Sequence, residues 1–209
     1  MVRREPRLAR IEPDQLCVTH GELADARVEV PTFRAVAPEH AGDRAALTFL
    51  VRGATAEHRA LASGQDRRQI GLKLRAENGC NLVYVMWRLD PKPQIEVSVK
   101  RNPGQRTAKE CGADGYTKLR PLIATPPPVM TDARAHDLRA SIDGDVLVAS
   151  IDGQEVWRGL LPATARDLVG PAGVRSDNLE LDLLGFAVDA RGAEAAEMAT
   201  CKAAAETAD

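Results

Sequence analysis

The stretch HDLRASIDGDVLVASIDGQEVW, running from His136 to Trp157, decides how the rest of the chain is read. Ser-Ile-Asp-Gly occurs in it twice, at Ser141–Gly144 and Ser150–Gly153. Each Asp-Gly separates two runs that alternate apolar and polar residues. This is a strong hairpin signal, because a tight turn between twisted strands needs residues that tolerate positive φ. Leu138, Ala140 and Ile142 fall on one side, since successive strand side chains point to opposite faces. Strands are therefore predicted over His136–Asp143, Val146–Asp152 and Glu155–Arg158. A helical turn is expected within Ala163–Val169, then a short strand at Gly173–Ser176 and a closing strand at Leu179–Val188. Gly185 breaks the alternation of that last strand and predicts a bulge.

Working outward, the same alternation recurs upstream. Ala26–Val30 and Phe33–Ala37 are short strand candidates on either side of Pro31. Ala46–Arg52 is a strand with Leu47, Phe49 and Val51 on one face. Gly53–Gly64 is a long loop with room for one helical turn. Gln69–Ala76, Asn81–Leu89 and Gln94–Lys100 form three adjacent antiparallel strands, the first two joined at Asn78-Gly79. Asn81–Leu89 is apolar on both faces, which places it centrally in its sheet. Trp87 shares the core-facing side with Val83, Val85 and Leu89; Trp157, near a hairpin end, is undecided. Arg101–Pro128 is the least regular stretch, and so long a loop within a domain is often functional or covers something. The expected organisation is an extended arm over residues 1–16, one β-domain over 17–192, and a short helix or tail over 193–209.

Composition narrows the function classes. With 28 Lys and Arg, 30 Asp and Glu and a net charge of −2, the chain lacks the basic excess of a nucleic-acid binder. No run approaches the roughly 20 apolar residues of a membrane span. The N-terminus starts with basic residues but has no apolar segment of the signal-peptide kind. Aromatic residues make up only 3%, which disfavours an aromatic-lined groove. None of the 4 cysteines has Cys-x-x-Cys spacing, so zinc and thioredoxin-like readings are poor. Cys80, at a hairpin turn, and Cys111, in a Gly-rich loop, are the more local pair, which leaves Cys17 and Cys201 to tie the ends together. Disulfides would put the protein outside the cytoplasm, and the competing reading is four free thiols inside it.

The segments His136-Asp137-Leu138-Arg139-Ala140, Asp145–Gly153, Gly170-Pro171-Ala172-Gly173-Val174-Arg175 and Leu183–Val188 follow one another in a recognisable order. Together they resemble the C-terminal half of the concanavalin A-like lectin/glucanase superfamily, in particular bacterial laminin-G-like jelly-roll domains. The tryptophan that usually precedes the histidine is Ala135 here. The resemblance implies an all-β antiparallel sandwich of jelly-roll type. It does not imply one activity, because this fold hosts lectins, hydrolases and adhesion modules alike.

No catalytic constellation is complete. Glucanases of this superfamily carry Glu-x-Asp-x-x-Glu or Glu-x-Asp-x-Glu on one strand, which places acid/base and nucleophile together. The nearest match, Glu180-Leu181-Asp182, lacks the closing Glu and lies in the last strand. His20, His40, His58 and His136 are dispersed, and no nucleophile elbow or phosphate loop occurs. Asp143, Asp145, Asp152 and Glu155 near the hairpin turns, and Asp177 with Asn178, are weak calcium candidates; no other cofactor is expected. The second face of the three central strands carries Lys73 and Arg75, then Tyr84 and Arg88, then Glu96, Ser98 and Lys100. Tyr84, Arg88, Lys73, Arg75 and Lys100 are the candidate ligand-binding residues, on the concave sheet in such folds. The first expectation is a non-catalytic module that binds a glycan, acidic saccharides included, or a cell-surface protein. The second is a glycoside-active enzyme. The third is a structural domain whose face is filled by the 101–128 loop.

Overall fold

The computed structural model describes residues 8–12, 15–18, 26–37, 42–131 and 134–188, the side chains of 8–18 and of 26 excepted. The expected Cys17–Cys201 pairing and the 193–209 helix lie outside the described residues.

Two sheets pack face to face. The eight-stranded sheet has the order β1-β2-β4-β14-β6-β7-β8-β9, and the seven-stranded sheet β10-β13-β12-β11-β5-β15-β3. The N-terminal strands are β1 (Leu8–Glu12), β2 (Gln15–Val18), β3 (Ala26–Val28), β4 (Thr32–Val36) and β5 (Arg44–Ala54). The central strands are β6 (Gln69–Asn78), β7 (Asn81–Arg88) and β8 (Gln94–Lys100), followed by the one-turn helix α1 (Ala108–Cys111). Then come β9 (Tyr116–Lys118), β10 (Pro121–Ala124), β11 (His136–Asp143), β12 (Val146–Ile151), β13 (Gln154–Leu160), β14 (Gly173–Asp177) and β15 (Leu179–Val188). This is a jelly-roll β-sandwich. β1 lies within the stretch expected as an arm: it pairs with β2, and β2 pairs in parallel with β4.

Alternation explains the core. Leu47 and Phe49 from β5, Ile70, Leu72 and Leu74 from β6, Val83, Val85 and Trp87 from β7, and Leu138, Leu147 and Ile151 from β11 and β12 are essentially buried between the sheets. The two-faced β7 sits between β6 and β8. Trp157, left undecided by the sequence, is buried in the same core. His136 joins it, with its ring 5.1 Å from Trp87 and 6.3 Å from Phe49.

The two copies of Ser-Ile-Asp-Gly make different turns. Ile151 pairs with Gln154, so Asp152 and Gly153 form the second turn, both at positive φ (51° and 82°), as a type I′ turn requires. Asp143 pairs with Val146, so the first turn is Gly144-Asp145, with Gly144 at φ 58° in the first position, the type II′ pattern. The predicted Asn78-Gly79 turn likewise slides by one, to Gly79-Cys80, because Asn78 pairs with Asn81. The bulge at Gly185 is present, between Leu183 and Gly185. The irregular stretch after Lys100 holds more structure than alternation shows: α1, β9 and β10, all short. No helix forms in the Gly53–Gly64 loop.

The bond between Cys80 and Cys111 forms as expected. It fastens α1 to the β6–β7 turn. Asn102 reinforces that junction by donating to the carbonyls of Cys80 and Asp114.

Candidate functional site

The outer face of the eight-stranded sheet carries a polar ladder whose rows follow from the register. Arg175 lies opposite Arg34 and Gly71, Gly71 opposite Met86, and Met86 opposite Glu96. The next row along the strands is Asp177, Gln69, Arg88 and Gln94. In the opposite direction lie Gly173, Lys73, Tyr84, Ser98 and Lys118. Gly71 is required to be small, since a Cβ there would come within 2.1 Å of the Val85 carbonyl oxygen and 2.8 Å of the Met86 sulfur.

The ladder divides into two ends. At one, Lys73, Tyr84 and Lys100 are 1%, 4% and 2% exposed. Tyr116 of β9 stacks on Tyr84 at 6.1 Å, the Arg175 guanidinium lies 5.1 Å from the Tyr84 ring, and Lys100 Nζ lies 5.0 Å from the Tyr116 ring. Lys100 also donates to the Gly112 carbonyl at 2.8 Å. Alternation puts these three side chains on one face, and so they are, but all three are buried there, Tyr84 and Lys100 under the segment that follows β8. Arg75 leaves the face altogether. A bulge follows Leu74, Arg75 takes φ 47°, and its side chain donates to Asp43 and the Ala165 carbonyl.

At the other end Arg88 joins two residues that sequence reasoning did not single out. Glu96 accepts from Arg67 at 2.9 Å, Lys118 at 3.0 Å, Arg88 at 3.3 Å and Gln94 at 3.4 Å. Arg67 comes from the loop before β6, which has no periodicity to announce it. What positions that loop is Asn178, the single residue between β14 in one sheet and β15 in the other. Its side chain donates to the carbonyls of Arg59 and Arg67 and to Asp66, and accepts from the Arg59 N–H. Asp177 accepts from Gln69 at 2.7 Å and from Arg175 at 2.8 Å.

Burial alone would raise the Glu96 carboxyl, but hydrogen bonds from Lys118 and Arg67, and their charges, outweigh it and hold it below the ordinary value of 4.5. The contribution of Glu96 to stability is therefore full above that value and is lost as pH falls through the lower folded value. Glu96→Gln is expected to lower stability at pH 7 and to flatten the acid side of the stability profile. Denaturant titrations between pH 7 and 3 check this, and an unchanged acid slope would refute it.

All but one of the remaining acidic candidates are engaged elsewhere. Asp152 accepts from Arg134, His136 and the Asp137 N–H, at 2.8, 2.9 and 2.9 Å. Asp145 pairs with Arg166, and Glu155 with Arg158. Asp143 is exposed at its turn. Asp182 is held by Arg27 and Arg52, and Glu180 is 3.9 Å from Arg27. Hydrogen bonding from Arg27 keeps Asp182 below its ordinary value against the opposing effect of burial, the reverse of what a general acid needs. Among the described residues no three His, Cys, Asp or Glu side chains are grouped to hold a metal ion. An open groove of about 550 Å³ lies on the outer face of the other sheet, between Arg44, Thr48, Arg139 and Phe186. Its acidic group, Asp137, is taken by Arg139.

The architecture and this polar sheet face define a jelly-roll β-sandwich with a candidate recognition surface. Among solved structures, the chain is similar to carbohydrate-binding module CBM66 from Bacillus subtilis, at 8% identity and a TM-score of 0.51, over 78% of this chain and 91% of that one. A tetrameric galectin from the ball sponge Cinachyrella is similar at 13% identity and a TM-score of 0.45, over 76% and 99%. No protein-family description matches the chain, and no curated protein matches it in sequence.

Proposed function

We propose that the protein is a non-catalytic glycan-binding module whose site is the Arg67–Arg88–Glu96 end of the eight-stranded sheet. The observation that carries this reading is the charged hydrogen-bonding cluster on Glu96, held by two sheet strands, an anchored loop and β9. Fixed planar donors beside a carboxylate suit the vicinal hydroxyls of a sugar. The name of the Bacillus neighbour, a carbohydrate-binding module, agrees with this use of the fold. Catalysis would need a carboxylic acid kept protonated beside an ionised partner. The two carboxylates identified on this face, Glu96 and Asp177, are instead both paired with arginine.

A second reading, a structural domain without a small ligand, is favoured by one observation: Tyr84, Lys73 and Lys100 are packed away rather than presented. A glycan array separates the two, run with and without calcium, which also tests the calcium candidates. Binding is expected, and Arg88→Ala is expected to weaken it by about tenfold, the worth of one charged hydrogen bond. No binding in either condition would sink the glycan reading. The Cys80–Cys111 bond supports an oxidising, extracytoplasmic location. No helix among the described residues is long and apolar enough to cross a membrane.

A further inference from the structure

The Glu96 cluster is unbalanced. Arg67, Arg88 and Lys118 all pair with this one carboxylate. Two neighbouring ion pairs are internally matched, Arg68 with Asp90 and Arg175 with Asp177. The surplus is positive and is held in a partly desolvated setting. The side chains of Arg67, Arg88 and Glu96 are 9%, 11% and 14% exposed, while Lys118 at 63% stands at the rim.

Donor capacity points the same way. Arg67 gives its terminal nitrogens to Glu96 and Gln65, and its buried Nε finds no acceptor among the described residues. Arg88 uses Nε on the Lys92 carbonyl and Nη1 on Glu96, which leaves Nη2 without an acceptor among the described residues. Lys118 has two further N–H groups beyond its bond to Glu96. Burial also pulls the Arg88 guanidinium below its ordinary value, with Glu96 opposing and Arg67 adding to the effect. The cluster therefore has cationic donors to spare, with too little negative charge against them.

Resting on the glycan reading above, we infer that the ligand is an acidic saccharide, whose carboxylate docks between Arg88 and Lys118 while its hydroxyls engage Glu96, Gln94 and Arg67. A carboxylate supplies the missing charge and accepts the unused N–H groups of Arg88 and Lys118 in one step. A neutral sugar would leave the surplus uncompensated. Arg88, fixed on β7, sets the orientation; Lys118, exposed at the edge, adds attraction that salt screens.

The test is an array holding uronate-bearing and sialylated glycans beside neutral ones, followed by titration of the best acidic hit and its carboxyl methyl ester. Esterification removes the charge and keeps the ring. The expected result is binding confined to acidic glycans, weakened at least about tenfold by esterification and by Arg88→Gln. Lys118→Gln, at an exposed position with little bearing on folding, is expected to weaken binding by a few-fold and to reduce its salt dependence. Binding of neutral glycans equal to that of acidic ones, or indifference to esterification, overturns this inference and leaves the glycan reading standing. Absence of binding to every glycan overturns both.

Discussion

Asn178→Ala is expected to destabilise the protein by about 3–5 kcal/mol, among the largest effects of any single polar substitution. The residue is fully buried, and its side chain links the β14–β15 corner to four groups of the 59–67 segment. Alanine would leave the Arg59 N–H and the Arg59 and Arg67 carbonyls without that partner. The bond to Arg67 is buried, and a buried polar group left unsatisfied costs about 1–3 kcal/mol; the Arg59 bonds are part-buried and each adds less. The backbone adds to this, because Asn178 has φ 53°, a region in which alanine costs about 1–2 kcal/mol. Asn178→Gly separates the contributions: it relieves the backbone part and keeps the side-chain loss, so it should recover only about 1 kcal/mol. Chemical denaturation of the three proteins checks the order. An alanine variant within 1 kcal/mol of the parent would show that the corner does not hold the loop. The same substitution should weaken glycan binding, because Arg67 belongs to the anchored loop.

This corner also shows why some of the molecule was legible in the sequence and some was not. Strand positions were legible because alternation is local: β8, β11 and β15 have the predicted bounds, and the other predicted strands differ by one or two residues at an end. The pairing of β14 with both β4 and β6 was not, because those partners are distant in the chain and alternation carries no information on order within a sheet. Turn chemistry was half legible. Asp-Gly marks a hairpin, but whether the turn uses Asp-Gly or the next pair depends on register, and two identical tetrapeptides settle it differently.

The candidate site divides along the same line. Lys73, Tyr84, Lys100 and Arg88 share a face, as period two requires. Whether a face is open depends on what lies across it, and here Tyr116 and the segment after β8 cover one end. Arg75 was misplaced because a bulge inverts the alternation beyond it. Glu96 was visible on the right face but unremarkable until Arg67, Arg88 and Lys118 were seen to converge on it. Arg67 carries no periodic signal, since contacts distant in the chain, with Asn178 and with Leu89 through the neighbouring Arg68 carbonyl, place it there.

Removing the Cys80–Cys111 bond is expected to cost about 3–4 kcal/mol and to lower the melting temperature by about 8–12 °C. The two cysteines are 31 residues apart in sequence, and closing a loop of that size removes enough entropy from the unfolded ensemble to raise its free energy by about this much. The folded state should survive, because the stapled segment is also held directly. Gly79 N–H donates to the Arg106 carbonyl at 3.1 Å, Asn81 to the Gln105 carbonyl at 2.8 Å, and Lys100 to the Gly112 carbonyl at 2.8 Å. The helix α1, only one turn long, has no stability of its own and depends on these contacts. Cys80→Ala/Cys111→Ala should therefore melt earlier yet keep the Tyr116–Tyr84 stack and the Glu96 cluster, with glycan affinity nearly unchanged below the melting range. Thermal melts of the double variant, and of the parent with and without reductant, check this, provided a thiol titration shows that the bond has opened. An unchanged melt with both thiols free would mean that the bond does not constrain the unfolded chain. A lost glycan site at ambient temperature would mean that the hydrogen bonds of the 101–115 segment cannot hold it without the staple, and the recognition surface would then depend on an oxidising compartment for its shape as well as for its stability.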